Sequence, residues 1–166
     1  MPAKAKPIPQ GFHTATPYLT VNDAAGAIDF YKRAFGAKER MRMDAPVGKI
    51  GHAEVQIGDA IVMLCDEMPM SNSKSPKTLG GTASAVFLYV DDVDAVYKQA
   101  VSAGATGTGE PTDMFWGDRF GHVLDPYGHS WALATHIEDV APQEMARRHQ
   151  EHTQKMMEQQ KTRHAG

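Results

Sequence analysis

An internal repeat sets the tightest limit on how this chain can fold. The segment PYLTVNDAAGAIDFYKRAFGA (17–37) aligns with VFLYVDDVDAVYKQAVSAGA (86–105). Val21 and Asp23 match Val90 and Asp92 at a separation of 69 residues. Each copy is an apolar run, a Val with an acidic cap, a helix and a Gly-Ala pair. The helices carry Ile28, Tyr31 and Phe35 in one copy and Val93, Val96, Tyr97 and Val101 in the other, the spacing of an amphipathic helix. Asp23 and Asp92 stand where N-caps belong, and Gly36 and Gly104 where C-caps belong.

Strand-like segments follow each helix. In the first half these are 38–43, 52–57 and 60–65, the last two joined by a Gly58-Asp59 turn. In the second half they lie near 105–109, at 118–124 and at 129–136, with a Pro126-Tyr127-Gly128 turn before the last. Each half therefore reads as a βαβββ module, and the fold class is α+β. The first module is expected over 12–67, the second over 83–140, with the Ser-, Pro- and Gly-rich stretch 68–82 as a linker loop. Residues 1–11 read as a disordered Pro-rich arm, and 141–166 as a solvated helical tail whose few apolar residues are Met145, Met156 and Met157. A dimer-packing helix is the alternative for that tail.

Composition narrows the function classes. Hydrophobic residues make up 42% of the chain, enough for a globular core. A net charge of −3 argues against nucleic acid as the main partner, because phosphate binding needs surplus Lys and Arg. No apolar run approaches the roughly 18 residues that would span a bilayer. The N-terminus lacks the apolar region of a secretory signal. A single cysteine, Cys65, allows no internal disulfide. The cytoplasm is the expected compartment.

Period-two alternation assigns strand faces. Leu19, Val21, Val86, Leu88, Val90, Ala53, Val55 and Ile57 are expected on the helix side. Thr16, Tyr18, Thr20, Ala85, Phe87, Tyr89, His52, Glu54, Gln56, Ile61, Met63 and Cys65 are expected on the other.

Two tandem βαβββ modules bearing VNDAAGAIDFYKRAFGA and LDPYGHSW resemble the vicinal oxygen chelate superfamily. That group holds glyoxalase I, extradiol dioxygenases, and fosfomycin- and bleomycin-resistance proteins. The resemblance spans about residues 12–140 and is strongest to small bacterial glyoxalase/bleomycin-resistance-like proteins. It implies a U-shaped mixed sheet around a cleft, helices outside, and a homodimer. Metal-dependent members place His, Gln or Glu on the first and last strand of each module. The matching residues here are Thr16, Met63, Ala85 and Ala132. Two of these carry no donor atom, and a thioether is a poor ligand for the hard divalent ions involved. No metal and no cofactor are therefore expected. A relocated site would draw on His52 and Glu54, with His122 or His136 approaching.

The segment 114–131, MFWGDRFGHVLDPYGHSW, concentrates aromatic, imidazole and charged groups. Asp125-Pro126-Tyr127-Gly128 is turn chemistry that sets the register of the last strand. Trp131 is expected to pack against a helix. Phe115, Trp116 and Arg119 remain as a pocket wall, with Arg119 suited either to a ligand carboxylate or to an ion pair with Asp113, Asp118 or Asp125. Cys65 lies beside Asp66 and Glu67 and reads as a wall residue rather than a nucleophile. The expected function is metal-independent binding of a small molecule, with antibiotic or toxic-metabolite sequestration as the style. The ligand-contacting set is Tyr18, His52, Glu54, Met63, Phe87, Tyr89, Phe115, Trp116 and Arg119. The alternative is a lyase, isomerase or dioxygenase, with His52 and Glu54 as acid and base. An assembly role carried by the tail helix is a third reading.

Overall fold

A computed structural model describes residues 5–164, with side chains through Gln160. The order is β1 (Tyr18–Val21), α1 (Ala24–Phe35), β2 (Lys38–Ala45), β3 (Lys49–Ile57), β4 (Ala60–Asp66), α2 (Pro76–Leu79), β5 (Ala85–Tyr89), α3 (Val93–Ala103), β6 (Thr106–Asp113), β7 (Asp118–Leu124), β8 (Ser130–His136) and α4 (Pro142–His164). Two four-stranded sheets result, ordered β1-β4-β3-β2 and β5-β8-β7-β6. In each, the first strand runs parallel to the last and the remaining pairs are antiparallel. The two tandem modules expected from the repeat are present.

The repeat extends to single hydrogen bonds. Asp23 Oδ1 accepts from the Gly26 amide at 3.0 Å, and Asp92 Oδ1 from the Ala95 amide at 3.0 Å. Gly36 and Gly104 close the two helices in left-handed conformations, at φ 65° and φ 118°. The first helical amides are also matched. Ala24 N–H donates to Asp66 Oδ1 at 3.1 Å, and Val93 N–H to Thr135 Oγ1 at 2.8 Å. Each helix start is thereby tied to the end of its module's last strand, satisfying donors that an isolated helix leaves unmade.

Two boundaries differ from expectation. β1 begins at Tyr18, so Thr16, expected on the strand's open face, lies before it with its hydroxyl donating to the His13 carbonyl at 3.1 Å. Pro17 has no amide to give a ladder, and its carbonyl takes the first bond from β4, from Met63 N–H at 2.9 Å. The linker contains one helical turn, α2, capped by the Ser75 hydroxyl accepting from Thr78 N–H. Glu67 braces that turn through the Ser75 amide at 2.8 Å and the Thr78 hydroxyl at 2.7 Å. Of the arm expected over 1–11, residues 1–4 lie outside the described residues; just after it, Phe12 at the start of the first module has the Arg40 guanidinium 5.6 Å from its ring centroid. Among the described residues, no helix is long and apolar enough to cross a membrane.

The helix-side residues of both sheets enter one core. Val21, Ala53, Val55 and Leu64 of the first module share it with Leu88, Val123, Trp131 and Leu133 of the second. Trp131 does pack on a helix, but on the first module's: its ring lies 5.1 Å from Tyr31 and 4.6 Å from Phe35. Burying aromatics of this size stabilises by about 2–3 kcal/mol each. Asp125 ties the junction together. It is 3% exposed, and Oδ2 accepts from the Tyr31 hydroxyl at 2.9 Å and Trp131 Nε1 at 3.0 Å. Oδ1 takes the amides of Tyr127 and His129.

Replacing Asp125 by Ala strands two buried side-chain donors. The loss expected in urea unfolding is roughly 2–5 kcal/mol, against about 1 kcal/mol for Tyr31→Phe, which removes one donor and leaves the carboxylate its other partners. Equal losses in the two variants would show that Asp125 does not join the modules.

Candidate functional site

Each sheet leaves one face open on the side away from its helix. On the first sheet, the ladder registers put Tyr18, Met63, Glu54 and Met41 in one row, and Thr20 beside Cys65, with His52 beside Met43. This is the face assigned from alternation, and it brings Tyr18, His52, Glu54 and Met63 together. His52 Nδ1 is 3.3 Å from the Tyr18 hydroxyl, and the two rings meet edge-on at 5.6 Å. Glu54 stands 3.6 Å from His52 Nε2 and 3.5 Å from Arg40 Nη1. Partial burial, and then the neighbouring Cys65, raises the Tyr18 phenol above its ordinary pKa. Cys65 Sγ lies 3.9 Å from the Thr20 hydroxyl and beside the Tyr18 phenol.

On the second sheet the open face is aromatic. Phe87 and His122 flank Ala132 in register, and Tyr89 and Phe120 flank Ala134. Ala132 is 5% exposed and Ala134 0%, although both point to the open side, because larger rings stand on either side. Ring centroids are 5.0 Å apart for Phe87 and Tyr89, 5.8 Å for Phe87 and Phe120, and 6.1 Å for Phe120 and Trp116. These are ordinary aromatic pair distances. Phe87 and Tyr89 are nonetheless 47% and 65% exposed, so the cluster keeps a surface for a partner. Phe115 extends it toward α4, meeting His149 at 5.5 Å and His152 at 5.2 Å.

A nearly buried carboxylate holds this face. Asp118, 4% exposed, accepts from Tyr89 Oη at 3.1 Å, Trp116 Nε1 at 3.1 Å and His136 Nδ1 at 2.7 Å. Gly117 makes the turn possible: its φ is 95°, and an added Cβ would strike the Glu138 carbonyl. The other nitrogen of His136 faces Asp139 at 3.0 Å. With a carboxylate on each nitrogen, the imidazolium form is favoured. Asp118 first, and Asp139 next, raise the His136 pKa above the ordinary imidazole value. Sequence reading passed over Asp118, His136 and Phe120 as a group. Alternation along β7 and the pairing with β8 was the signal available for it.

Arg119 is a correction. It alternates with Asp118 and so faces α3, where its Nε meets Asp94 at 2.6 Å and its Nη1 meets Asp113 at 2.8 Å. It is an ion-pair residue behind the sheet and no part of the aromatic face. The ligand positions of metal-dependent relatives are also accounted for. Thr16 precedes β1, Met63 presents a thioether, Ala85 a methyl group, and Ala132 a methyl group buried between rings. These residues do not fit a hard divalent cation. His52, Glu54, His122 and His136 do not form the relocated set. His122 binds Thr108 and Ser130, and His136 binds Asp118. Among the described residues no group of three or more His, Cys, Asp or Glu converges in a way that would hold a metal ion.

The His136 arrangement has a pH signature. A raised folded pKa contributes stability that is full below the unfolded value, about 6.5, and is lost as pH rises through the folded value. An NMR titration should place His136 above the ordinary imidazole value in the wild type, and Asp118→Asn should lower it. A wild-type His136 titrating at or below the ordinary value would contradict the two-carboxylate geometry.

Comparisons with known proteins agree with this architecture. The profile of the Glyoxalase/Bleomycin resistance protein/Dioxygenase superfamily matches residues 11–133. The chain is 45% identical over 128 residues to the uncharacterized protein Rv0887c of Mycobacterium tuberculosis, covering 75% of each. It is similar in structure to TioX from Micromonospora sp. ML1, with 30% identity, a TM-score of 0.58, and 74% of this chain and 99% of that one covered. A gene product of Arabidopsis thaliana aligns with a TM-score of 0.61 at 28% identity over 74% of this chain and 98% of its own. With the repeat, the two βαβββ sheets and the matching profile in place, the chain belongs to the glyoxalase/bleomycin resistance protein/dioxygenase superfamily.

Proposed function

We propose that the protein binds a small planar aromatic molecule without a metal and sequesters it, as an antibiotic or a toxic metabolite, in the cytoplasm. The observation that carries this reading is the ring group Phe87, Tyr89, Phe120 and Trp116, the first two exposed and the others half-buried, with Tyr89 and Trp116 held in place by Asp118. Sequestration asks for affinity alone, so Ala85 and Ala132 at family ligand positions are no defect. Stacking on such rings contributes about 0.5–1.5 kcal/mol per pair beyond area burial. Tyr18, His52, Glu54 and Met63 supply polar and adaptable contacts on the first sheet's open face, where the thioether of Met63 tolerates varied shapes. We assign the protein a homodimeric state, as is common among its relatives, with a dimer mass expected in light scattering; a monomeric mass would refute the assignment.

Binding is tested by titrating the protein with bleomycin and with antibiotics bearing linked or fused aromatic rings, following Trp fluorescence. The expected outcome is saturable quenching by at least one compound, weakened tenfold or more by Trp116→Ala, equivalent to about 1.4 kcal/mol. No quenching and no thermal shift with any of them would overturn the reading and favour an assembly role.

The linked groups Tyr18, His52, Glu54 and Arg40 support a second reading, an enzyme in which His52 and Glu54 exchange protons with the substrate. Metal analysis of the purified protein separates a metal enzyme from the metal-free reading. Stoichiometric Mn, Fe, Ni or Zn that disappears in His52→Ala would sink the latter.

A further inference from the structure

At the β5–β8 starts, the second sheet carries a hydrogen-bonded file that ring stacking does not use. Ser130 Oγ lies 2.8 Å from His122 Nε2, and Thr108 Oγ1 lies 2.7 Å from His122 Nδ1. The Thr108 hydroxyl also reaches the His122 carbonyl at 3.1 Å. A hydroxyl has one proton, and a carbonyl can only accept. In the tautomer in which Thr108 gives its proton to the carbonyl, it receives the Nδ1 proton. That tautomer presents the Nε2 lone pair to Ser130, whose hydroxyl donates to it. This is the proton arrangement of a serine activated by a general base whose tautomer a third residue fixes.

The backbone supports the placement. In the β6–β7 ladder Gly107 pairs with Val123 and Gly109 with His122, so Thr108 is the extra residue of an irregularity between two glycines. Such bulges redirect a side chain, and this one brings Thr108 onto His122. Ser130, with Ala85 and Leu124, lines an open cavity of about 710 Å³ whose other walls include Pro76, Lys77 and residues 80–84. Ser130 thus stands between His122 and a space that admits a small molecule.

We infer that Ser130 is a nucleophile that accepts acyl groups from small activated esters entering this cavity, with His122 as its base and Thr108 as a positioning residue. Ser130 Oγ bonds to the ester carbonyl carbon while its proton passes to His122 Nε2. The carbon–oxygen bond to the leaving alcohol then breaks, and that proton goes to the departing oxygen. The products are an acylated Ser130 and a free alcohol. Thr108 is neutral and offers the imidazolium no opposite charge, unlike the buried carboxylate of a serine triad. Deacylation by water is therefore slow, and the acylated chain accumulates.

The probe is p-nitrophenyl acetate, applied to the full chain, with p-nitrophenolate release followed by absorbance and the acetylated residue mapped by mass spectrometry. The expected result is one acetyl group per chain on Ser130, with a matching burst of p-nitrophenolate. Ser130→Ala abolishes the burst. His122→Ala slows it by about 100-fold, the low end of general-base catalysis. Thr108→Val slows it by a smaller factor while Ser130 remains the labelled residue, a split that simple loss of folding does not produce; thermal unfolding of each variant checks the fold directly. Acetyl groups on lysines alone, no acetyl on Ser130, or a Ser130 label formed as fast in His122→Ala would each overturn the assignment.

Discussion

Asp125 is the point on which the rest of the structure depends. Its carboxylate accepts four hydrogen bonds, two from amides of its own turn and two from Tyr31 and Trp131. The amide bonds shape the turn that delivers β8 in register beside β5. The side-chain bonds fix α1 of one module against β8 of the other. A carboxylate this deep is tolerable only because all four contacts are donors. Its satisfaction lets the helix-side faces of both sheets share a single core, so the opposite faces are left open.

Both the fold and its faces were legible because they rest on local periodicity. Capping residues Asp23, Asp92, Gly36 and Gly104, and the buried set Leu19, Val21, Ala53 and Val55, follow from spacing alone. The contacts that cross the modules were not legible. Trp131 was readable as core, yet nothing local names α1 as its partner. Arg119 shows the same limit. Asp113 was among its readable partners, but Asp94 lies 25 positions away on the first turn of α3, and only tertiary packing brings it within reach. Its face followed from alternation with Asp118 once β7 was paired, and that alternation excludes it from the aromatic group.

Asp118 and Asp125 divide the labour of segment 114–131. Each is a nearly buried carboxylate that accepts from a tryptophan, Trp116 and Trp131 respectively, and from a tyrosine, Tyr89 and Tyr31. One pair faces the core and is inaccessible. The other faces the open side and is held at the surface, where exposed rings would otherwise rotate. Fixing rings before a ligand arrives removes part of the ordering cost of binding. Density of chemistry in a sequence therefore does not distinguish a site from a scaffold; the strand face does.

The alanines make the last physical connection. A coordinating side chain at Ala132 would stand between Phe87 and His122 and keep the rings apart. A methyl group lets Phe87 approach Phe120 across β8, nearly parallel at 28°, and leaves His122 to pair with Ser130 and Thr108. Loss of a donor at that position is thus coupled to gain of an apolar surface. Coordination confines a ligand to those with the right donor geometry, whereas stacking rewards any flat apolar face. With alanine at these positions the open face offers ring surface in place of donor atoms, with His136 at one end and Ser130 at the other.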